Sequence, residues 1–322
     1  MQRDSHAQRI QLLAAVTLRR NILIFHAGGL GDFVLSWPLG IALGRLYPAS
    51  RVIYVTQPSK GALAAAAIGL DWQNIESGWP ALYGDNGVVL DEKCGRTLAG
   101  AHSIFTFMAA AGDSWCANVN RLSPEAPIVA LRLKPPSGFT GHVSGHLLGQ
   151  LAGVPVVRAA VEQILTSVGK NGLRGSRPAG NASPAIVHPG SGGREKCWPV
   201  AKFVALVERL GKGGQQVKIV LGEVELERLS REEIRQLESA APLVQPADYL
   251  GLMNELSNAA NFIGNDSGPG HLAGLLGVPS LILFGPSDPA VWKPLGPRVQ
   301  VIRSSHLEEL PVDEVYSAAA RL

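Results

Sequence analysis

FIGNDSGPGHLAGLLGVPSLILFGP, residues 262–286, is the stretch whose reading decides the fold of this chain. An apolar strand end runs into a polar turn, a short apolar helix follows, and a second buried strand closes the stretch. Asp266, Ser267 and His271 fall where loop becomes helix. Backbone N–H groups at a helix start are unpaired and partly positive, so they suit an anionic phosphate. Gly268 and Gly270 let the backbone approach a ligand without an intervening Cβ. A polar cluster between two apolar strands therefore predicts a nucleotide or sugar-phosphate site at the carboxyl edge of a parallel sheet. Asp266 or Ser267 serving only as a helix cap is the plain alternative. A Ser-His-Asp triad does not fit. Ser267 and His271 are one turn apart, and position 265 is Asn where a Gly-x-Ser-x-Gly elbow needs Gly.

Outward from this stretch, the same logic recurs. Residues 21–26 form an apolar run that ends in Gly28-Gly29-Leu30-Gly31-Asp32, with helical spacing from Phe33 to Leu46 and a second strand at 51–55. Strand, Gly-rich loop, helix and strand make a βαβ unit and hence a parallel sheet. In the second half, Ala185–His188 reads as a strand, Pro189–Gly193 as its loop, 200–211 as a helix, and 217–221 as the next strand. Helices over 225–238 and 248–259 and strands ending at Ile263, Phe284 and Ile302 complete it. Residues 168–184, polar and rich in Gly and Pro, read as the linker. The predicted architecture is α/β: a doubly wound domain over 1–182 and another over 183–322, facing each other across a cleft.

With 322 residues, two domains of about 150 residues are expected. The charged share of 17% lies below the usual value of about 25%, and 46% of residues are hydrophobic, so the chain has ample core and is not disordered. A formal charge of +3, without a basic run or an interleaved aromatic stripe, gives no support to a nucleic-acid partner. Cys94, Cys116 and Cys197 form no CxxC pair and are odd in number, which argues against a disulfide framework or zinc site. Cys197 is either a reactive thiol or a passive neighbour. Residues 1–20 hold Arg3, Arg9, Arg19 and Arg20 around a core, Ile10–Val16, that is at the short end for a signal peptide and is closed by arginines, not by a small-residue cleavage site, and no charge-free apolar run of about 18 residues exists. A cytoplasmic protein is expected. Its basic amino-terminal segment either forms an extra helix or touches an anionic membrane surface.

Three clusters can carry chemistry. The loop Gly28-Gly29-Leu30-Gly31-Asp32 is neither a dinucleotide fingerprint, since Val34 stands where the third glycine belongs, nor a Walker loop. It leaves Asp32 on a tight turn, as a helix cap or as a general base. The segment His188–Pro199 places Arg194 and Lys196 before a helix that Pro199 opens. A lysine there either is solvated or neutralises a departing pyrophosphate, while His188 reads as a structural histidine. Glu223 and Glu225 follow a buried strand and either meet ribose hydroxyls or sit exposed in a first helical turn.

Taken together, ILIFHAGGLGDFVLSWPLGIALGRLYP (22–48), HPGSGGREKCWP (188–199) and IGNDSGPGHLAGLLGVPSLILFGPSDPAVW (263–292) resemble glycosyltransferase family 9, the family of the ADP-heptose:lipopolysaccharide heptosyltransferases. The resemblance implies a GT-B fold, with acceptor in the amino-terminal domain and nucleotide sugar in the carboxy-terminal one. It implies inverting transfer of a sugar, most simply heptose from ADP-heptose, to a lipopolysaccharide-core or related glycan or glycolipid, with no cofactor and no essential metal. Asp32 matches the family's base and Lys196 its loop lysine. Asp266, Ser267, Gly268 and His271 match the donor-binding segment, and Ser191 and Gly192 the residues beside the donor phosphates. Glu225 is the choice for the ribose carboxylate, and Gly28, Gly29 and Gly31 form the acceptor-side loop. Two departures stand out: His26, where members often carry Arg or Lys, and Cys197 within Lys196-Cys197-Trp198-Pro199. A non-catalytic or epimerase-like nucleotide-sugar binder of the same fold is the competing expectation.

Overall fold

In the computed structural model, residues 21–84, 87–173 and 183–322 are described. The basic segment 1–20 and most of the expected linker, 174–182, lie outside them. The chain forms two compact units that are discontinuous in sequence. One holds the residues up to Gly28, Trp37–Leu133 and Gln150–Val161; the other holds Gly29–Ser36, Lys134–Gly149 and Glu162–Leu322.

In the first unit, strands β1 (Asn21–Phe25), β2 (Arg51–Thr56), β3 (Asp71–Asn74), β4 (Ala101–Thr106) and β5 (Ile128–Ala130) form a sheet in the order β3-β2-β1-β4-β5. Every pair is parallel, β1 against β2 running Asn21 opposite Arg51 to Phe25 opposite Val55. The order reverses beside β1, so the loop after β1 opens at a topological switch point, where such sheets bind ligands. Leu23, Phe25, Ile53 and Val55 alternate toward one core face. There Phe25 meets Trp79 and Trp115 edge-on, with centroids 5.0 and 4.9 Å apart.

In the second unit, β6 (Ala185–His188), β7 (Val217–Val220), β8 (Leu243–Val244), β9 (Asn261–Asn265), β10 (Ser280–Phe284) and β11 (Val299–Arg303) form a parallel sheet in the order β11-β10-β9-β6-β7-β8. Strands β6, β9 and β10 are buried along their whole length, as expected of a sheet covered on both faces. Here the order reverses between β6 and β9, which brings their carboxyl ends together.

Two helices expected as continuous are broken, each by a serine. The pattern from Phe33 to Leu46 is two helices, Leu30–Leu35 and Trp37–Leu46; at the break, both the N–H and the hydroxyl of Ser36 donate to the Phe33 carbonyl. The helix expected over 225–238 is Glu223–Arg228 and Arg231–Ala240. Ser230 starts the second with a capping box: its hydroxyl accepts from the Glu233 N–H at 3.2 Å, and the Glu233 carboxylate accepts from the Ser230 N–H at 2.8 Å. Among the described residues no helix is long and apolar enough to cross a membrane.

Candidate functional site

Within the second unit, the loop after β6 and the turn after β9 are laced together by two residues, Asn265 and Asp266. Asn265, fully buried at the end of β9, donates to the Pro189 carbonyl at 2.7 Å and accepts from the Trp198 N–H at 3.0 Å. It thus fixes both ends of the segment that carries Ser191 and Lys196. Asp266 holds the middle. Its carbonyl accepts the Ser191 hydroxyl at 2.6 Å, and its carboxylate lies 3.1 Å from the Lys196 ammonium. Asp266 is buried, whereas Lys196 is about a third exposed, so the ammonium keeps a face toward solvent. The lysine stands in a single 3₁₀ turn, Arg194–Lys196, just ahead of the helix Val200–Lys212, which begins one residue after Pro199.

Neither Asp266 nor Ser267 caps the following helix, Gly268–Leu276. Ser267 occupies the cap position with extended backbone, yet its side chain makes no capping bond. Its hydroxyl is buried and has no hydrogen-bond partner among the described residues. A buried hydroxyl in that state costs roughly 1–3 kcal/mol, which a purely structural cap would not incur. His271, one turn on, is buried as well, and its Nδ1 lacks a partner among the described residues. Burial pushes its pKa down to about 4, against the opposing pull of Asp266, so the ring is neutral at pH 7. Its Nε2 lies 3.9 Å from the Asp266 carboxylate, too far for a hydrogen bond.

The Gly31-Asp32 turn packs on this same helix start. A Cβ on Gly268 would come within 2.9 Å of the Leu30 Cβ and 3.1 Å of the Gly31 nitrogen, and one on Gly31 within 3.2 Å of His271. Gly31 thus borders the Asp266–His271 cluster, while Gly28 and Gly29 are exposed, and the Gly28 carbonyl takes the Lys60 ammonium. Asp32 is exposed and sits in the first turn of Leu30–Leu35, but the cap position belongs to Gly29. Asp32 is therefore not the N-cap residue of this helix.

Beyond Ser191, a cavity of about 260 Å³ is lined by Arg194, Cys197, Glu225, Arg228 and Glu233 among others. Glu225 is not an exposed first-turn residue. It is buried, accepts the Gly222 N–H at 2.9 Å, and lies 3.8 Å from His188 Nε2. The backbone passes so close that a Cβ at Gly190 would fall 2.0 Å from its carboxylate, so any larger residue there would displace the Glu225 side chain. Glu223, its competitor, is exposed. His188 is structural, its Nδ1 bonded to the Val220 carbonyl at 2.9 Å. Cys197 is the passive neighbour: burial and the Glu225 charge push its pKa up, away from a reactive thiolate. Asn265 and Arg228 went unrecognised as site residues in the sequence. Asn265 lies inside the deciding stretch, past the strand end read at Ile263, and counts there only against a Gly-x-Ser-x-Gly elbow.

Residues 166–319 match the model of glycosyltransferase family 9 (heptosyltransferase). Lipopolysaccharide heptosyltransferase 3 of Escherichia coli is 30% identical over 121 residues, 36% of this chain and 35% of that one. Lipopolysaccharide heptosyltransferase 1 of Pseudomonas aeruginosa is 39% identical over 95 residues, 29% of this chain and 26% of that one. The chain thus spans about a third of the length of the curated relatives it matches. Along nearly the whole chain, the structure of E. coli ADP-heptose lps heptosyltransferase II superposes with a TM-score of 0.67 at 17% identity, covering 94% of this chain and 98% of that one. This likeness, with the two parallel sheets, defines an α/β protein of the GT-B fold. Within that class, the carboxy-terminal half of the chain, residues 166–319, resembles glycosyltransferase family 9.

Proposed function

We propose that this protein is an inverting glycosyltransferase that moves heptose from ADP-heptose to a lipopolysaccharide-core or related glycan acceptor. One observation carries the reading: Lys196, Ser191 and the Leu30–Gly31 turn all converge on the start of the helix Gly268–Leu276. In this reading the donor diphosphate lies at that helix start, held by its backbone N–H groups, Ser267, Gly268 and Lys196. Glu225 in the neighbouring cavity takes ribose hydroxyls. Asp32, exposed on the helix that packs there, removes the acceptor proton as the acceptor oxygen attacks the anomeric carbon. Lys196 and the helix start stabilise the negative charge that leaves with the nucleotide diphosphate.

A bare binder of nucleotide sugars would use a lysine at the phosphate site but not an exposed carboxylate at Asp32, which favours transfer over the binding-only alternative. No metal is assigned a part. Among the described residues no group of three or more His, Cys, Asp or Glu side chains is arranged to hold one. The acceptor belongs to the amino-terminal half, near the exposed Gly28–Gly29 loop, and a glycolipid acceptor would bring the enzyme to the cytoplasmic face of the inner membrane. The names of the relatives support the donor and acceptor classes.

The test is to incubate the purified protein with ADP-heptose and heptose-deficient lipopolysaccharide core, and to follow ADP release and the mass of the glycolipid. Thermal stabilisation by ADP-, UDP- and GDP-sugars, expected at roughly 2.7 kcal/mol for a hundredfold excess over the dissociation constant, ranks the donors. Stabilisation by none of them would overturn the reading.

A further inference from the structure

We propose that Arg228, through which no step of the transfer runs, is a positioning residue of the donor site: it fixes the Ser191–Gly193 backbone so that two amides face the donor phosphates. The inference rests on the donor-site reading given above. Arg228 closes the helix Glu223–Arg228, and its Nη1 donates to two consecutive carbonyls, Ser191 at 3.1 Å and Gly192 at 2.9 Å. Arg194 in turn donates to the Arg228 carbonyl at 3.1 Å, so loop and helix end clasp each other.

The two carbonyl bonds dictate where the next two amides point. Across a trans peptide, the N–H of one residue is antiparallel to the preceding C=O. With the Ser191 and Gly192 carbonyls turned to Arg228, the N–H groups of Gly192 and Gly193 are turned away from it. Among the described residues neither of these amides has a protein acceptor, and space is open around Gly192. On its other flank the loop is tied to Asp266 through the Ser191 hydroxyl and Lys196. The backbone is thus strung between Arg228 and Asp266, with two adjacent N–H donors aligned as an anion-binding nest. A guanidinium suits this task because the two N–H bonds of Nη1 are fixed in the plane of the group and reach both carbonyls, whereas an ammonium on a flexible stem holds its donors in no such fixed geometry.

The test compares wild type with Arg228→Ala and Arg228→Lys in steady-state transfer and in calorimetric titration with ADP. Arg228 is exposed, so both variants are expected to fold with melting temperatures close to wild type. Arg228→Ala should raise the donor KM and the ADP dissociation constant by about tenfold, as expected for loss of charge-assisted hydrogen bonds. The acceptor KM and kcat should stay within about threefold, because Lys196 and Asp32 keep their own supports. Arg228→Lys should recover only part of the loss. Full rescue by lysine would mean a point charge acting directly on the donor and would overturn the positioning role, as would a wild-type donor KM in Arg228→Ala. Wild-type protein that binds no nucleotide sugar would overturn the donor-site reading itself, and this inference with it.

Discussion

Replacing Ser267 by alanine separates a binding hydroxyl from a structural cap, because the two roles predict opposite signs in the free protein. A capping serine stabilises its helix, and its loss costs about 1 kcal/mol. Ser267 holds the cap position of Gly268–Leu276 but makes no capping bond, and its hydroxyl is buried without a partner among the described residues. Removing it therefore takes away a desolvated hydroxyl that contributes nothing to the free fold. Ser267→Ala should leave stability unchanged or raise it by up to about 1 kcal/mol, which is roughly 2–4 °C in melting temperature for a domain of this size. With donor bound, the sign reverses. A hydrogen bond from the hydroxyl to a charged phosphate is worth about 1.5–3 kcal/mol, so the ADP dissociation constant should rise by at least about tenfold. Because the hydroxyl is buried, its cover must give slightly as the donor enters, and part of the binding energy goes into that movement. Thermal unfolding with and without saturating ADP measures both halves in one experiment. A variant that is less stable without ligand yet gains as much from ADP as wild type would return Ser267 to capping and refute the reasoning.

Other perturbations address the remaining parts of the site. Asp32→Asn should retain the fold and the ADP-induced stabilisation but lose transfer by at least about a hundredfold; near-normal initial rates in the purified variant would end its role as base. Transfer should persist in excess EDTA, and complete loss restored by Mg²⁺ would contradict the metal-free mechanism. His271 is held near pKa 4 when folded, against 6.5 unfolded, so the unfolded chain takes up the proton first and stability falls as pH drops from 6.5 toward 4. Between pH 7 and 5, urea denaturation should show roughly 2 kcal/mol more loss for wild type than for His271→Gln; equal losses would mean the ring is not held neutral. Asn265→Ala leaves the Trp198 N–H and the Pro189 carbonyl without their buried partner and should destabilise the protein by about 2–4 kcal/mol; a loss under half a kcal/mol would show that the two loop ends are fixed by other contacts.

The parallel sheets were legible in the sequence because βαβ units announce themselves through apolar runs and Gly-rich turns, and β6, β9 and β10 stand where those runs lie. Helix continuity was not. Period counting passes through Ser36 and Ser230, since one serine barely alters the apolar spacing, while its hydroxyl and amide bonds decide where the chain stops and restarts. Among the candidate site residues, Asp266, Ser267 and Lys196 are singled out by the sequence, but their relations are not. That Asp266 takes Lys196 rather than capping a helix is set by a contact across 70 residues of chain. The resemblance picks Glu225 over Glu223, but that the first is buried and the second exposed is not visible in two glutamates of one helical turn. Arg228 left no local signal, because its partners are backbone carbonyls 36 and 37 residues away and backbone carbonyls have no sequence signature.

The Lys196–Asp266 pair bears on how a lysine already engaged can serve a departing diphosphate. An ion pair with one exposed member is worth only about 0–1 kcal/mol, less than the 1.5–3 kcal/mol of a hydrogen bond to a charged group. Competition from Asp266 is therefore too weak to keep the ammonium from phosphate. Exchange need not be complete either. An ammonium carries three donors, and the contact with the Asp266 carboxylate at 3.1 Å uses one of them. Lys196 can stay bonded to Asp266 while its solvent-facing side meets the diphosphate. The buried carboxylate then keeps its countercharge, which full departure of the lysine would remove. In the proposed transfer, Asp266 aims the lysine, the loop tied at Pro189 and Trp198 limits where it can go, and the charge that develops on the leaving group meets a cation already in place.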